Sequence, residues 1–396
     1  MGPGLRRDDS FAGMTPSARL QAAIELVDEI LVAAREGGAA ADTLIARYFK
    51  ARRYAGSGDR RAVRELVFRA IRRAWERPAS GRAALLGLED AHPLFDGSPH
   101  GPAAIEPGEP VAAAGIAPAW LLARFDPLVG AGELPALLQR APLDVRINRL
   151  KEVPTLDGEP TPLSPIGRRF PEGTKIEQLA AWRLGQIEVQ DEGSQLICLG
   201  AGAAPGMLAV DLCAGAGGKT LALAAEMANE GRLVACDTDR GRLSRLPQRA
   251  ARAGASIAES RLLDPGREAD ALADMAGQAD LVLVDAPCSG TGTWRRNPET
   301  RWRVTPERLD RLTALQARLL DIGATLLKPG AILVYAVCSL LTEEGRGQAE
   351  ALAARSSLVP EAPPIEAGRP AGHGLLLSPA KDGTDGFFVA RWRSPC

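Results

Sequence analysis

Apolar positions recur at helical spacing in the first part of the chain and at strand spacing in the second, and the change of period divides the sequence. After Thr15-Pro16-Ser17, which reads as a helix entry, Leu20, Ile24, Val27, Ile30 and Leu31 form one apolar stripe. A second helix is predicted over 41–53. Gly56-Ser57-Gly58-Asp59 reads as a break, and a third helix over 61–76 turns Val63, Leu66, Val67, Ala70 and Ile71 inward. Prolines, glycines and alanines erase the period over 81–115, where a loop-rich connection with short helices is expected; helical character returns over 118–125 and 132–140. Alternation over 143–148 predicts a strand, short strand-like runs follow through 162–188, and Asp191-Glu192-Gly193-Ser194 opens a helix reaching Leu199.

From 208 onward the pattern becomes a series of strand–helix units. Strands are predicted over 208–212, 233–237, 260–263, 279–284, 331–337 and 387–392. Strands that alternate with helices imply a parallel sheet, and its carboxyl edge gathers the residues at the strand ends: Asp237, Asp264, Asp285 and Cys338. The expected organisation is a disordered tail over 1–14, a helical domain over 15–135, a small α/β module over 136–190 and a cofactor domain over 191–396.

The first strand–helix junction is the run Asp211-Leu212-Cys213-Ala214-Gly215-Ala216-Gly217-Gly218-Lys219-Thr220. Its glycines allow positive φ and close approach of a ligand, and the helix start offers free N–H groups to a carboxylate or phosphate. A triphosphate loop needs G-x-x-x-x-G-K-[ST]; Gly218-Lys219-Thr220 supplies its end, but Cys213 stands at the first glycine position. Asp211 at the strand end and Asp237 beyond it fit an adenosine ligand whose ribose hydroxyls meet a carboxylate. S-adenosylmethionine suits that pattern; the competing reading is a purely structural glycine turn.

Composition bounds the rest. With 396 residues, 45% hydrophobic, 24% charged and a formal net charge of −1, the chain has the make-up of a soluble protein of two or three domains, and any nucleic-acid surface must be local. Between Arg47 and Arg77 stand eleven basic residues against three acidic ones, either a solvated helix face or a phosphate-contacting patch. Trp294, Arg295, Arg296, Arg301, Trp302 and Arg303 form a second basic segment, interleaved with aromatics, that either holds RNA or is a loop anchored by its tryptophans. Only three histidines occur, which argues against a histidine base or metal cluster, and the six cysteines are too far apart for a zinc knuckle. No apolar run approaches a membrane span, and positions 1–15 are too polar for a signal peptide. The expectation is a cytoplasmic monomer without metal.

Two strand ends carry reactive sulfur: Asp285-Ala286-Pro287-Cys288-Ser289-Gly290-Thr291-Gly292 and Tyr335-Ala336-Val337-Cys338-Ser339. Cysteines beside a methyl donor suggest activation of an unreactive ring carbon. C5 of a pyrimidine cannot attack a sulfonium unaided, but a thiolate added at C6 makes it enamine-like. An acid near N3 lowers the cost of that addition, and Asp285 is the candidate. Spacing does not say which cysteine attacks, and either can be a small core residue.

These motifs resemble the RsmB/Nop/Sun family of S-adenosylmethionine-dependent RNA cytosine-5 methyltransferases, and further matches are Gln190-Asp191-Glu192-Gly193-Ser194-Gln195 and Asp385-Gly386-Phe387-Phe388. The resemblance implies Cys338 as nucleophile, Cys288 in product release, and cofactor contacts from Cys213, Ala214, Gly215, Ala216, Gly217, Gly218, Lys219, Asp237, Asp264 and Asp285. It implies a Rossmann-like class I methyltransferase domain with a mainly parallel sheet, a small α/β RNA-binding module before it, and an all-helical, NusB-like RNA-binding domain at the N terminus. The implied substrate is a flipped cytosine in single-stranded or looped RNA, with 16S ribosomal RNA favoured by the RsmB branch. Transfer RNA, another methyl acceptor, or a non-catalytic RNA-binding protein that keeps the fold are the alternatives. The chain departs from the family where the cofactor loop reads Ala-Gly-Ala-Gly-Gly for Ala-Ala-Pro-Gly-Gly, and where Pro265 follows Asp264.

Overall fold

Thr15 accepts the Ala18 N–H on its hydroxyl and Pro16 fixes the first turn, so helix α1 (Pro16–Glu36) starts at its sequence signal. This is a computed structural model, and the described residues are 13–396; most of the tail expected over 1–14 lies outside them. Helices α2 (Ala41–Ala51), α3 (Ser57–Arg73) and α4 (Gly81–Leu86) follow. The cluster expected to break the chain before the third helix is instead its first turn. Asp59 takes the Gly56 N–H at 3.0 Å and pairs with Arg19 of α1 at 2.8 Å, so turn-forming residues serve as a cap. Burial opposes the Asp59 charge, yet the Gly56 N–H and Arg19 hold its carboxyl below the usual range.

Leu20, Val27, Ile30, Val63, Val67 and Ile71 form the centre of this helical unit. The unit runs to Ala119, short of the expected 135, and takes in Asn297–Arg303 from far along the chain. Trp302 is buried in the helical core, and its indole N–H donates to the Ala74 carbonyl. Arg301 donates to the carbonyls of Ile71, Arg72 and Ile116, and Arg303 to those of Gly38 and Ala39. Burial and nearby Arg72 lower the Arg301 guanidinium to about 10.

The second unit comprises Trp120–Arg296 and Val304–Cys396. The helices expected over 118–125 and 132–140 shrink to single turns, Ala119–Leu122 and Leu134–Leu138. A small antiparallel sheet follows, in the order β2-β3-β1-β4: β1 (Leu143–Ile147), β2 (Glu159–Pro160), β3 (Gly167–Phe170) and β4 (Ile187–Val189). Val145, Phe170, Ile176 and Ile187 fill its core. Helix α5 (Glu192–Ala201) then begins at Asp191, whose carboxylate accepts the Gly193 N–H.

The large sheet has nine strands. Five are parallel, in the order β9-β8-β5-β6-β7: β5 (Leu208–Asp211), β6 (Arg232–Asp237), β7 (Ala258–Leu262), β8 (Ala279–Asp285) and β9 (Leu327–Val337). Strands β10 (Val359–Glu361), β11 (Arg369–Ala371) and β12 (Gly374–Leu377) are unexpected; they are too short, and the first two too interrupted by proline, to show alternation. They join the antiparallel edge around β13 (Phe387–Arg393), which pairs with β9. β9 begins four positions before the expected 331, because Leu327 already pairs with Ala279 before an irregularity that carries the chain to Ile332, opposite Leu281. The chain order reverses beside β5, between β6 and β8, and the crevice of a Rossmann-like sheet lies beyond the carboxyl ends of those strands. Among the described residues no helix is long and apolar enough to cross a membrane.

Candidate active site

Strand β5 ends at Asp211, and helix α6 (Gly218–Glu226) starts seven residues later. Asp211 is fully buried beneath the loop, where Thr220 donates to it at 2.6 Å and its other oxygen lacks a partner. Burial lifts its carboxyl to about 7 despite the Thr220 bond. It therefore braces the turn from below. Cys213 is partly buried, with burial and Asp211 pushing its thiol well up, and the Ala214 N–H is tied to the Cys236 carbonyl at 2.8 Å.

Gly215 and Gly217 take φ of +57° and +86°, the left-handed region that a side chain disfavours, and a Cβ on Gly217 would run into Leu246. Asp237, at the end of β6, accepts the N–H groups of Gly215 and Asp239, each at 2.7 Å. Each oxygen retains a lone pair. Arg249 donates to the Ala216 carbonyl at 2.7 Å, and Arg242 rests against Gly215. These arginines hold the loop that lacks the family's proline. Beside Gly218 the space is open, and no side chain caps the start of α6. The loop thus presents free N–H groups beside a carboxylate, a fit for a ligand with an acid group at one end and ribose hydroxyls at the other. Asp264 is exposed beyond β7.

Lys219 turns toward Asp285 at the end of β8, its ammonium 2.6 Å from the carboxylate. Burial works against the lysine charge, but Asp285 outweighs it and the ammonium is held above its ordinary range. Three residues on, the Cys288 sulfur lies 3.3 Å from that of Cys338, which follows β9. This is van der Waals or weak hydrogen-bond contact, well beyond a disulfide. The bond to Cys338, burial, and the charges of Cys338 and Glu344 push the Cys288 thiol well up.

Beneath the thiols lies a residue that the motifs did not single out. Glu344 is fully buried. Its carboxylate accepts from the Ser289 N–H (2.8 Å) and hydroxyl, the Ser339 hydroxyl (2.6 Å) and the Gln316 amide (3.0 Å), and its carbonyl accepts from the Tyr335 hydroxyl. Only the acidic pair Glu343-Glu344, soon after Cys338, could have signalled it. Of the two readings of segment 294–303, an RNA contact or a loop anchored by its tryptophans, the internal contacts favour the second. Trp294 is buried edge-on to Phe125, Arg295 donates to the carbonyls of Gly383 and Thr384, and Arg296 bridges Asp385 and Asp191.

Residues 203–393 match the family model described as 16S rRNA methyltransferase RsmB/F. Ribosomal RNA small subunit methyltransferase B of Salmonella arizonae is 34% identical over 289 residues, 69% of this chain and 65% of that protein. That of Salmonella typhi matches equally. The chain thus covers slightly less than two thirds of these curated relatives. Among solved structures, PH0851 superposes with a TM-score of 0.73 at 21% identity, covering 96% of this chain and 99% of its own, a likeness of fold. A methyltransferase homolog protein from Pyrococcus horikoshii superposes at 0.58 with 26% identity, over 66% of this chain and 89% of its own. Residues 203–393, which carry the glycine loop and both cysteine strand ends, are thus similar to the RsmB/F methyltransferase family.

Proposed function

We propose that the protein methylates C5 of a cytosine in RNA, with 16S ribosomal RNA as the substrate and S-adenosylmethionine as the donor. The observation that carries this reading is the pair of thiols in contact at adjoining strand ends, next to the Lys219–Asp285 pair and one strand from the glycine loop. The choice of RNA rests on the activity named for the Salmonella relatives.

Gly217, Gly218 and Asp237 would hold the donor, which supplies an electrophilic methyl group on a sulfonium. The Cys338 thiolate adds to C6 of the extruded cytosine, the C5–C6 double bond opens, and electron density gathers at C5. Asp285 with Lys219 faces the ring edge. The Lys219–Asp285 pair supports N3 of the base, and the ammonium stabilises density moving toward the ring heteroatoms. After methylation a general base takes the C5 proton, the C–H electron pair re-forms the C5–C6 double bond, and the C6–S bond breaks to release the Cys338 thiolate. Cys288, touching the attacking sulfur, assists that release.

The test uses RNA containing 5-fluorocytosine, from which the C5 substituent cannot leave as a proton. With S-adenosylmethionine the wild type should form a covalent adduct, and Cys338→Ala should form none. Cys288→Ala should accumulate adduct on ordinary RNA. Normal methylation by Cys338→Ala overturns the assignment, and bisulfite mapping of total RNA from a deletion strain separates ribosomal from transfer RNA.

A further inference from the structure

Serving as the nucleophile requires more of Cys338 than proximity. Two sulfurs 3.3 Å apart are within hydrogen-bond reach with either as donor, and Cys338 is free to attack only if Cys288 is that donor. The side chains next to each cysteine, Ser289 and Ser339, contact each other and Thr291 through their hydroxyls, and the Glu344 carboxylate accepts from both hydroxyls and from the Ser289 N–H. Gln316 of helix α7 (Pro306–Leu326) adds a further donor, and Tyr335 of β9 fixes the Glu344 backbone. A buried carboxylate is costly unless its oxygens are fully engaged, and here four donors engage it. Clamping the two loops would need only an acceptor. The charge itself must act on something, and Cys288 is the neighbouring group whose ionisation it opposes.

We propose that Glu344 is a positioning residue for the two thiols: by gripping Ser289 and Ser339 together it sets the contact between Cys288 and Cys338, and its charge keeps the proton of that contact on Cys288. The titratable groups that act on the pair are Glu344, with Tyr335 buried beside it and Cys288, and Lys219 with its partner Asp285. Of these, Glu344 alone bonds to the neighbours of both cysteines. The inference rests on the thiol roles given above, but its test needs neither RNA nor methyl donor, so the two can fail separately.

Glu344→Gln keeps the shape and removes the charge, because serine hydroxyls can accept from an amide as readily as they donate to a carboxylate. Limited alkylation by iodoacetamide, read at each cysteine by mass spectrometry across a pH series, should label Cys338 ahead of Cys288 in the wild type. In Glu344→Gln the labelling of Cys288 at fixed pH should rise severalfold, and the preference for Cys338 should shrink. Glu344→Asp, which keeps the charge, should keep the preference, and it carries the test should the glutamine variant not fold. A wild-type labelling ratio in Glu344→Gln, or loss of the Cys338 preference in a folded Glu344→Asp, overturns the proposal.

Discussion

The Lys219 ammonium and the Asp285 carboxylate meet at 2.6 Å, joining the start of α6 to the end of β8. The contact links the donor loop to the strand end that leads into Cys288, so neither residue can be removed without leaving a partly buried charge unpaired. Lys219→Met and Asp285→Ala should each lower single-turnover methylation by about a hundredfold or more, within the range of groups that assist proton movement. The double variant should be scarcely worse than either alone, because paired residues act as one unit. Additive losses in that cycle would mean that the two serve separate ends.

Gly217 and Gly218 are adjacent but constrained for different reasons. Gly217 needs its left-handed φ of +86° and has Leu246 against it, so Gly217→Ala should cost about 1–3 kcal/mol of stability and also weaken donor binding. Gly218 faces open space. Gly218→Ala should melt like the wild type yet bind S-adenosylhomocysteine more weakly, because the methyl group occupies the ligand's side of the turn. Thermal unfolding with calorimetric titration separates the two, and unaltered affinity in Gly218→Ala would remove the ligand from that position.

The basic segments divide by where their side chains go. Trp302 is buried in the helical core and Arg301 donates to three carbonyls, so Trp302→Ala should destabilise the protein by about 3–5 kcal/mol. Arg47, Lys50, Arg53 and Arg61 are exposed instead. Replacing these four should leave the unfolding midpoint nearly unchanged and reduce the salt dependence of RNA binding, by about one in the log–log slope for each phosphate no longer neutralised. An unchanged slope would assign the exposed basic face to solvent.

Asp211 gives the stability of the ligand-free protein a pH dependence of known sign. Its carboxyl ionises at about 7 when folded and about 3.9 when unfolded. Below about pH 4 it is protonated in both states and contributes no slope; from there to about pH 7 only the unfolded chain releases the proton, and stability falls by up to about 1.4 kcal/mol per pH unit. Asp211→Asn should therefore gain on the wild type steadily across that interval in urea unfolding and level off above it. A constant difference between the two proteins at every pH would contradict this account.

The order of strands and helices in the second half, the glycine loop and both cysteine strand ends were legible in the sequence, because each is written in adjacent residues: a period, a turn that demands glycine, a reactive side chain where an apolar run stops. The helical core was legible for the same reason, since the stripe on α1 is local. What only the tertiary structure decided are the relations between distant positions. Sequence left Trp302 and Arg301 between an RNA-contacting segment and a loop anchored by tryptophan; they bury against helices more than two hundred residues earlier, because an indole and a guanidinium can satisfy backbone carbonyls that α3 leaves open at its end. Strands β10 to β12 are too short to carry a period and exist because β13 offers an edge to β10 and β12, and β12 one to β11. No motif marks Glu344, and its place beneath the thiols depends on β8 and β9 lying side by side, which brings Ser289 and Ser339 to a single carboxylate.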